Sequence, residues 1–185
     1  MSSSRSEAFF ASCPRGLEAE LVRELAALDI AATAVPGGVA FTGRWDACYR
    51  ANLWSRVASR ILWRVAEFNY RNEHDLYAAV KSIDWPRHFR VERTLRVNVT
   101  AQKSPLKSLE FATLRIKDAV CDRFRDASGK RPNIDRTNPD VRVHGFLEAA
   151  RGIIYLDTSG EPLFKRGWRA GAADAPLREN LAAGI

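Results

Sequence analysis

Residues 8–66 read AFFASCPRGLEAELVRELAALDIAATAVPGGVAFTGRWDACYRANLWSRVASRILWRVA, and the order of elements within them decides the fold. Ala8 to Ser12 is a short apolar run. It is followed by Pro14 and by Leu17, Leu21, Leu25 and Leu28 at the spacing of one helical face. Glu18, Glu20 and Glu24 point elsewhere around the same turn, so the pattern is a strand and then an amphipathic helix. Ala32 to Val35 and Val39 to Thr42 flank Pro36-Gly37-Gly38. Proline suits the second position of a turn and glycine the positive-φ third, which predicts a hairpin. Asp46 is placed to cap a helix through about Trp54 that carries Tyr49, Leu53 and Trp54. Ile61, Trp63 and Val65 then alternate with Leu62, Arg64 and Ala66 in a last strand. The sum is β-α-β-β-α-β, the ferredoxin-like order, within an α+β class.

Asn69-Tyr70-Arg71-Asn72-Glu73 is a polar break of the kind at which domains part, and it closes a first domain over residues 1–70. Beyond it, Leu76, Tyr77, Val80 and Ile83 predict a short helix that stops near Asp84-Trp85-Pro86, because proline disfavours helix at the residue before it. Leu95, Val97 and Val99 alternate with Arg96, Asn98 and Thr100 in a half-buried strand. A long helix follows from about Glu110 to Ala127, with Ala112, Ile116, Ala119, Val120 and Phe124 on one face, and Gly129 ends it. A loop over residues 130–140 leads to two strands, Val141 to Leu147 and Ile153 to Asp157, joined around Ala150-Arg151-Gly152. This second unit reads as another α/β sandwich.

A length of 185 residues with 46% hydrophobic and 28% charged content fits one or two folded domains with a real core. No apolar run approaches the roughly 18 residues of a membrane span, and MSSSRSEAFF lacks the apolar core of a secretory leader, so a cytoplasmic protein without a membrane partner is expected. Cys13, Cys48 and Cys121 are odd in number and far apart, which predicts reduced, buried thiols and no metal site. His74, His88 and His144 are too widely spaced for a metal pair, and no companion residues make them a catalytic set. His144 has the opposite strand parity to Val141 and Val143, which predicts exposure and a possible phosphate contact. Gly38 and Gly43 have the spacing that opens a phosphate loop, but Arg44-Trp45 stands where Lys-Ser/Thr is required. No glycine-rich strand-to-helix turn with a later acidic residue is present, so neither a cofactor site nor a catalytic residue is assigned.

Charge points to binding instead. The formal net charge is +7, and the whole excess lies between Arg87 and Arg131, where twelve Lys/Arg face five Asp/Glu. Lys103 and Lys107, with Ser104 and Ser108, flank Pro105 in a polar strand-to-helix loop that can offer ammonium and hydroxyl groups to phosphates. Arg115 and Lys117 diverge around the long helix, so one of them is free to pair with Asp118 or Asp122. Arg131 sits in a stiff proline-bearing loop just past the helix, and Arg142 in the next strand completes the expected RNA-binding set. Trp54, Trp63, Trp85, Phe111 and Phe124 would stack bases if exposed, but their spacing reads as core.

As a set, several stretches resemble the start of bacterial guanine-N2 methyltransferases of large-subunit ribosomal RNA. Arg15-Gly16-Leu17-Glu18, Pro36 to Phe41 and Leu53 to Ile61 are similar to their ferredoxin-like domain. Asp75-Leu76-Tyr77, Ile83-Asp84-Trp85, Arg115 to Val120, Arg131 to Asp135 and Pro139 to Val143 are similar to the THUMP domain that follows, here expected over 71–160. Leu163 to Arg169 and Ala175 to Ala183 resemble the passage, over 161–185, into that family's methyltransferase domain. The resemblance implies a part that grips large-subunit ribosomal RNA for a catalytic domain outside this chain, with S-adenosylmethionine as the cofactor of that domain and none bound here. THUMP units also occur in tRNA thiolation and tRNA methylation enzymes, and a basic surface also suits an acidic protein partner, so both alternatives stand at this point.

Overall fold

The computed structural model describes residues 6–167 and 177–185. Trp168, Arg169, Ala175 and Pro176 of the family-like stretches lie outside the described residues. The chain forms two compact units, residues 1–63 with 158–185 and residues 64–157.

The first unit is built from β1 (Glu7–Ser12), α1 (Glu18–Ala26), β2 (Ala32–Val35), β3 (Gly38–Gly43), α2 (Trp45–Trp54) and the start of β4 (Arg60–Asn69). Its strands lie in the order β2-β3-β1-β4, all antiparallel, which is the ferredoxin-like arrangement. The register places Phe9 opposite both Phe41 and Trp63, and Ala11 opposite both Val39 and Ile61. Alternation therefore sends Phe9, Ala11, Val39, Phe41 and Ile61 to one face, where Leu21 and Leu25 of α1 cover them. Phe9 and Phe41 stack with centroids 5.2 Å apart, and Trp45 meets Phe9 edge-on at 5.6 Å.

The hairpin turns at Pro36-Gly37, with Gly37 at φ +83°, as its residues predict. Glu18 accepts from the Gly16 and Gly37 amides at 2.7 and 3.0 Å and so ties the turn to the head of α1. Gly38 belongs to the sheet and not to a phosphate loop: an added Cβ would stand 2.2 Å from the Ala11 carbonyl oxygen and 2.6 Å from the Phe10 ring. Gly38→Ala is therefore expected to lower stability by about 1–3 kcal/mol, as overpacking does. An unchanged urea midpoint for that variant would show that the strands relax around it.

Two details of α2 depart from the sequence expectation. Arg44, not Asp46, occupies the cap position, and no side chain closes it. The helix buries its small residues Ala47, Cys48 and Ala51, so Tyr49, Leu53 and Trp54 face outward, and Trp54 is 63% exposed. Small residues let the helix lie close on the sheet, which turns the large ones away.

The far end of α2 is closed by residues from the chain's end. Arg166 donates to the carbonyls of Asn52, Leu53 and Ser55 at 2.8, 2.7 and 2.9 Å, placing a cation on the orphan acceptors at a helix C-terminus. Thr158 donates to the Ile61 carbonyl at 2.7 Å, and Ser159 accepts from the Ile61 amide at 2.8 Å. Asn180, 1% exposed, donates to Ser59 at 2.9 Å. Stretches expected to lead out of the chain thus include residues that fasten the first unit.

The second unit takes Arg64 to Asn69 of β4, α3 (Glu73–Ser82), a 3-10 turn (Trp85–Arg87), β5 (Leu95–Gln102), α4 (Leu109–Ser128), β6 (Val141–Glu148) and β7 (Arg151–Asp157). Its strand order is β4-β7-β6-β5, with β5 parallel to β6 and β6 antiparallel to β7. The parallel pair needs a crossover, and α4 supplies it. Asn72 caps α3 by accepting from the His74 and Asp75 amides, each at 2.9 Å. Trp85 is fully buried and donates its indole N–H to the Val80 carbonyl at 2.9 Å. Ile116, Ala119, Val120 and Phe124 form the buried face of α4 with Ala112, and Gly129, at φ +71°, ends the helix as expected.

The 130–140 loop is held more tightly than its composition suggests. Leu95 donates to the Asn133 carbonyl at 2.8 Å and accepts from the Asp135 amide at 3.2 Å, adding an isolated bridge at Ile134. Asp140 accepts from the Thr94 amide at 2.8 Å, from the Thr94 hydroxyl at 3.0 Å and from Arg93 at 3.2 Å.

Candidate nucleic-acid interface

The expected cations divide into three groups. Lys103 and Lys107 are exposed in the β5–α4 loop and meet no carboxylate within salt-bridge distance among the described residues. Lys103 takes a left-handed φ of +54°, so the chain turns sharply out of β5 at this point. The two serines beside them serve the fold as acceptors, which leaves each hydroxyl its own hydrogen to donate. Ser104 accepts from the Tyr70 hydroxyl at 2.8 Å and from the Leu106 amide at 3.2 Å, while Ser108 caps α4 through the Phe111 amide at 3.1 Å. The loop is thereby pinned at its middle and its end, leaving its lysines to reach solvent.

The second group lies along α4. Lys117 pairs with Asp118 at 2.9 Å, and Arg131 approaches the same carboxylate at 4.0 Å, so the structure brings these two together. Arg115 points differently and stands over the Tyr77 ring of α3, 4.3 Å from its centroid. The third position is Arg142 on β6. Gly145 of the same strand faces α4, since a Cβ added there would stand 2.9 Å from Ile116 Cδ1, and strand alternation puts Arg142 on the opposite sheet face. Arg142 is half-buried and has protein partners, so it stands apart from the α4 group.

Pairing explains which part of the charge excess is available. Arg93, Lys117, Arg123, Arg125 and Arg131 each have a carboxylate neighbour: Asp140, Asp118, Asp84, Asp122 and Asp118 respectively. Exposed pairs of this sort contribute little and exchange readily for a phosphate. Lys103, Lys107 and Lys130, with Arg87 and Arg90, are exposed without such a partner among the described residues. Arg87, Arg90 and Lys130 lie within the basic segment, but no motif in the sequence singles them out.

Two further expectations are corrected. His144 is not an exposed phosphate ligand: its Nε2 is shielded and lies 3.7 Å from a carboxylate oxygen of Asp157, whose side chain is shielded too. Phe111 is 48% exposed at the head of α4 instead of buried, whereas Trp85 and Phe124 are core as expected. The three cysteines are free and buried, and burial, followed by the Glu18 charge, raises the Cys13 thiol to about 11. Such thiols are poor nucleophiles at neutral pH. Among the described residues, no group of three or more His, Cys, Asp or Glu side chains is placed to hold a metal, and no helix is long and apolar enough to cross a membrane.

The carboxylates of the 130–140 loop are structural acceptors. The Thr94 amide, then its hydroxyl and then Arg93 hold Asp140 below its ordinary value. A depressed carboxylate supports the fold above its unfolded pKa of about 3.9 and loses that support as pH falls through the lower folded value. The Thr94 amide proton is therefore expected to keep its chemical shift down to about 3.9 and to move only below it. Asp140→Asn should displace that resonance at neutral pH; a wild-type titration centred at the ordinary carboxylate value would contradict the assignment.

A ferredoxin-like unit followed by a mixed-sheet unit with a helical crossover defines the THUMP-containing class: residues 8–62 match the RlmL ferredoxin-like domain and residues 70–157 the THUMP domain. The chain thus carries an RlmL ferredoxin-like domain followed by a THUMP domain, and over that stretch it is similar to bacterial large-subunit ribosomal RNA methyltransferases. It is 42% identical over 180 residues to the ribosomal RNA large subunit methyltransferase K/L of Syntrophotalea carbinolica, covering 96% of this chain and 25% of that one. The chain thus spans about a quarter of the length of the curated relatives it matches. Among solved structures, a Listeria monocytogenes protein described as a predicted N6-adenine-specific DNA methylase is similar at TM-score 0.85 and 28% identity, over 97% of this chain and 47% of that one. SMU.472, solved in complex with SAH, is similar at TM-score 0.84 and 27% identity, over 98% of this chain and 48% of that one.

Proposed function

We propose that this chain is the RNA-gripping region of an S-adenosylmethionine-dependent guanine-N2 methyltransferase of large-subunit ribosomal RNA, acting in the cytoplasm. The observation that carries the reading is the concentration of uncompensated cations, Lys103, Lys107 and Lys130 among them, in the unit that matches the THUMP domain. Phosphate contacts fix the position of an RNA without reading its sequence, which suits a part whose task is delivery. Chemistry on a base needs that base held out of its stack in a separate pocket. In this reading the pocket and the cofactor belong to the further length of the relatives, while Lys103, Lys107, Arg115, Lys117 and Arg131 hold the RNA backbone. Arg142, on the other sheet face, contributes less.

The test is the affinity of the 185-residue chain for a structured fragment of large-subunit ribosomal RNA, measured across salt concentrations. A log–log plot should fall steeply, by roughly 0.7–0.9 per phosphate contact. A flat plot, or no binding at low salt, overturns the reading.

A further inference from the structure

Arg115 differs from the other cations of α4 in what it touches. Lys117, Arg123 and Arg125 each have a carboxylate neighbour, at 2.9, 2.9 and 3.2 Å. Among the described residues Arg115 has none, and it rests instead on the face of the Tyr77 ring, 4.3 Å from guanidinium carbon to centroid. A guanidinium over a ring keeps its N–H donors in its own plane, away from that contact, so a planar acceptor can meet two of them together.

The ring itself is held. The Tyr77 hydroxyl donates to Asp122 at 2.8 Å, and Asp122 follows Arg115 by seven residues, two turns along the same face of α4. Tyr77 therefore leans along α4 with its edge fixed to one residue and its face against another. Lys81, one turn further along α3, stands 5.8 Å from the centroid of the same ring and pairs with Asp126 at 2.8 Å, which closes α3 onto α4 beside it. A surface arginine ordinarily samples many rotamers, and ordering it on binding costs affinity. Here stacking restricts the side chain in advance.

We infer that Tyr77 is a positioning residue whose ring presents the Arg115 guanidinium to a backbone phosphate of the bound RNA. The inference rests on the RNA-binding reading above and adds to it a residue that touches no RNA. Its signature is conditional: removing the ring matters only while Arg115 is present.

The experiment is a double-mutant cycle on the 185-residue chain with the same ribosomal RNA fragment, comparing wild type, Tyr77→Leu, Arg115→Ala and the double variant, with Tyr77→Phe as the conservative change. Tyr77→Leu should weaken binding by about three- to fivefold, the range of an exposed cation–aromatic contact. It should add nothing in the Arg115→Ala background. Tyr77→Phe keeps the ring and should bind within about twofold of wild type. Equal losses from Tyr77→Leu in both backgrounds would make Tyr77 a purely structural residue and overturn the inference, as would no loss at all. Wild-type chain that binds no RNA would instead bring down the function proposed above. Should Tyr77→Leu fail to fold, the Arg115 side-chain resonances decide: ring-current displacement in wild type and in Tyr77→Phe, changing on addition of RNA, is expected. Undisplaced resonances, or displaced ones that RNA leaves unchanged, overturn it.

Discussion

Trp85→Ala is expected to destabilise the second unit by about 3–5 kcal/mol, the cost of emptying a large aromatic site in a core. Trp85 is fully buried at the end of α3, where its ring meets Phe89 at 6.2 Å and Phe89 in turn meets Phe124 of α4 at 4.9 Å. The indole N–H on the Val80 carbonyl fixes the point at which the chain leaves α3. Since whole domains are stable by only about 5–15 kcal/mol, such a loss should bring the second unit close to unfolding and remove RNA binding with it. Trp85→Phe retains much of the volume and should cost markedly less. Denaturation curves for the two variants check this, and a wild-type midpoint for Trp85→Ala would mean that the 3-10 turn is peripheral to the core.

The largest functional effect is expected from replacing Lys103, Lys107, Lys117 and Arg131 together by glutamine. These residues occupy the β5–α4 loop and the Asp118 corner of α4, and all reach the surface at least in part. Losing four phosphate contacts should flatten the log–log salt dependence by about 3–4 and weaken binding on the order of 100-fold near physiological salt. The thermal midpoint should move little, because Lys103 and Lys107 have no carboxylate partner among the described residues and the two pairs removed, both on Asp118, are partly open to solvent. Unchanged affinity would mean that the RNA lies elsewhere on the molecule. A large fall in affinity with an unchanged slope would show that these residues act through folding.

Much of the architecture was legible because it follows from local rules. Leu21 and Leu25 declare the buried face of α1, Pro36-Gly37 the hairpin, and Gly129 the end of α4, each through backbone geometry or periodicity within a few residues. What the sequence concealed depended on distant partners. Arg166 closes α2 from more than a hundred residues away, and nothing in its own neighbourhood announces that role. The outward turn of Tyr49, Leu53 and Trp54 was hidden because hydrophobicity alone does not rank a small, close-packing face above a large one.

The candidate interface was readable as a segment and not as a surface. Counting charges located Arg87 to Arg131, but which cations are compensated depends on tertiary pairs such as Arg93 with Asp140 and Arg123 with Asp84. Strand parity separates Arg142 from the α4 group once the sheet face under Ile116 is known. Tyr77 looked like one more apolar helix position, and only the packing of α3 on α4 reveals its contact with Arg115.

The central claim is that the second unit, through the β5–α4 loop and α4, holds the RNA. Ultraviolet crosslinking of the 185-residue chain to a large-subunit ribosomal RNA fragment, with the attached peptides identified by mass spectrometry, tests it most directly. Crosslinks concentrated within residues 103–131 are predicted; crosslinks confined to the first unit, or to the β6 face that carries Arg142, would contradict it.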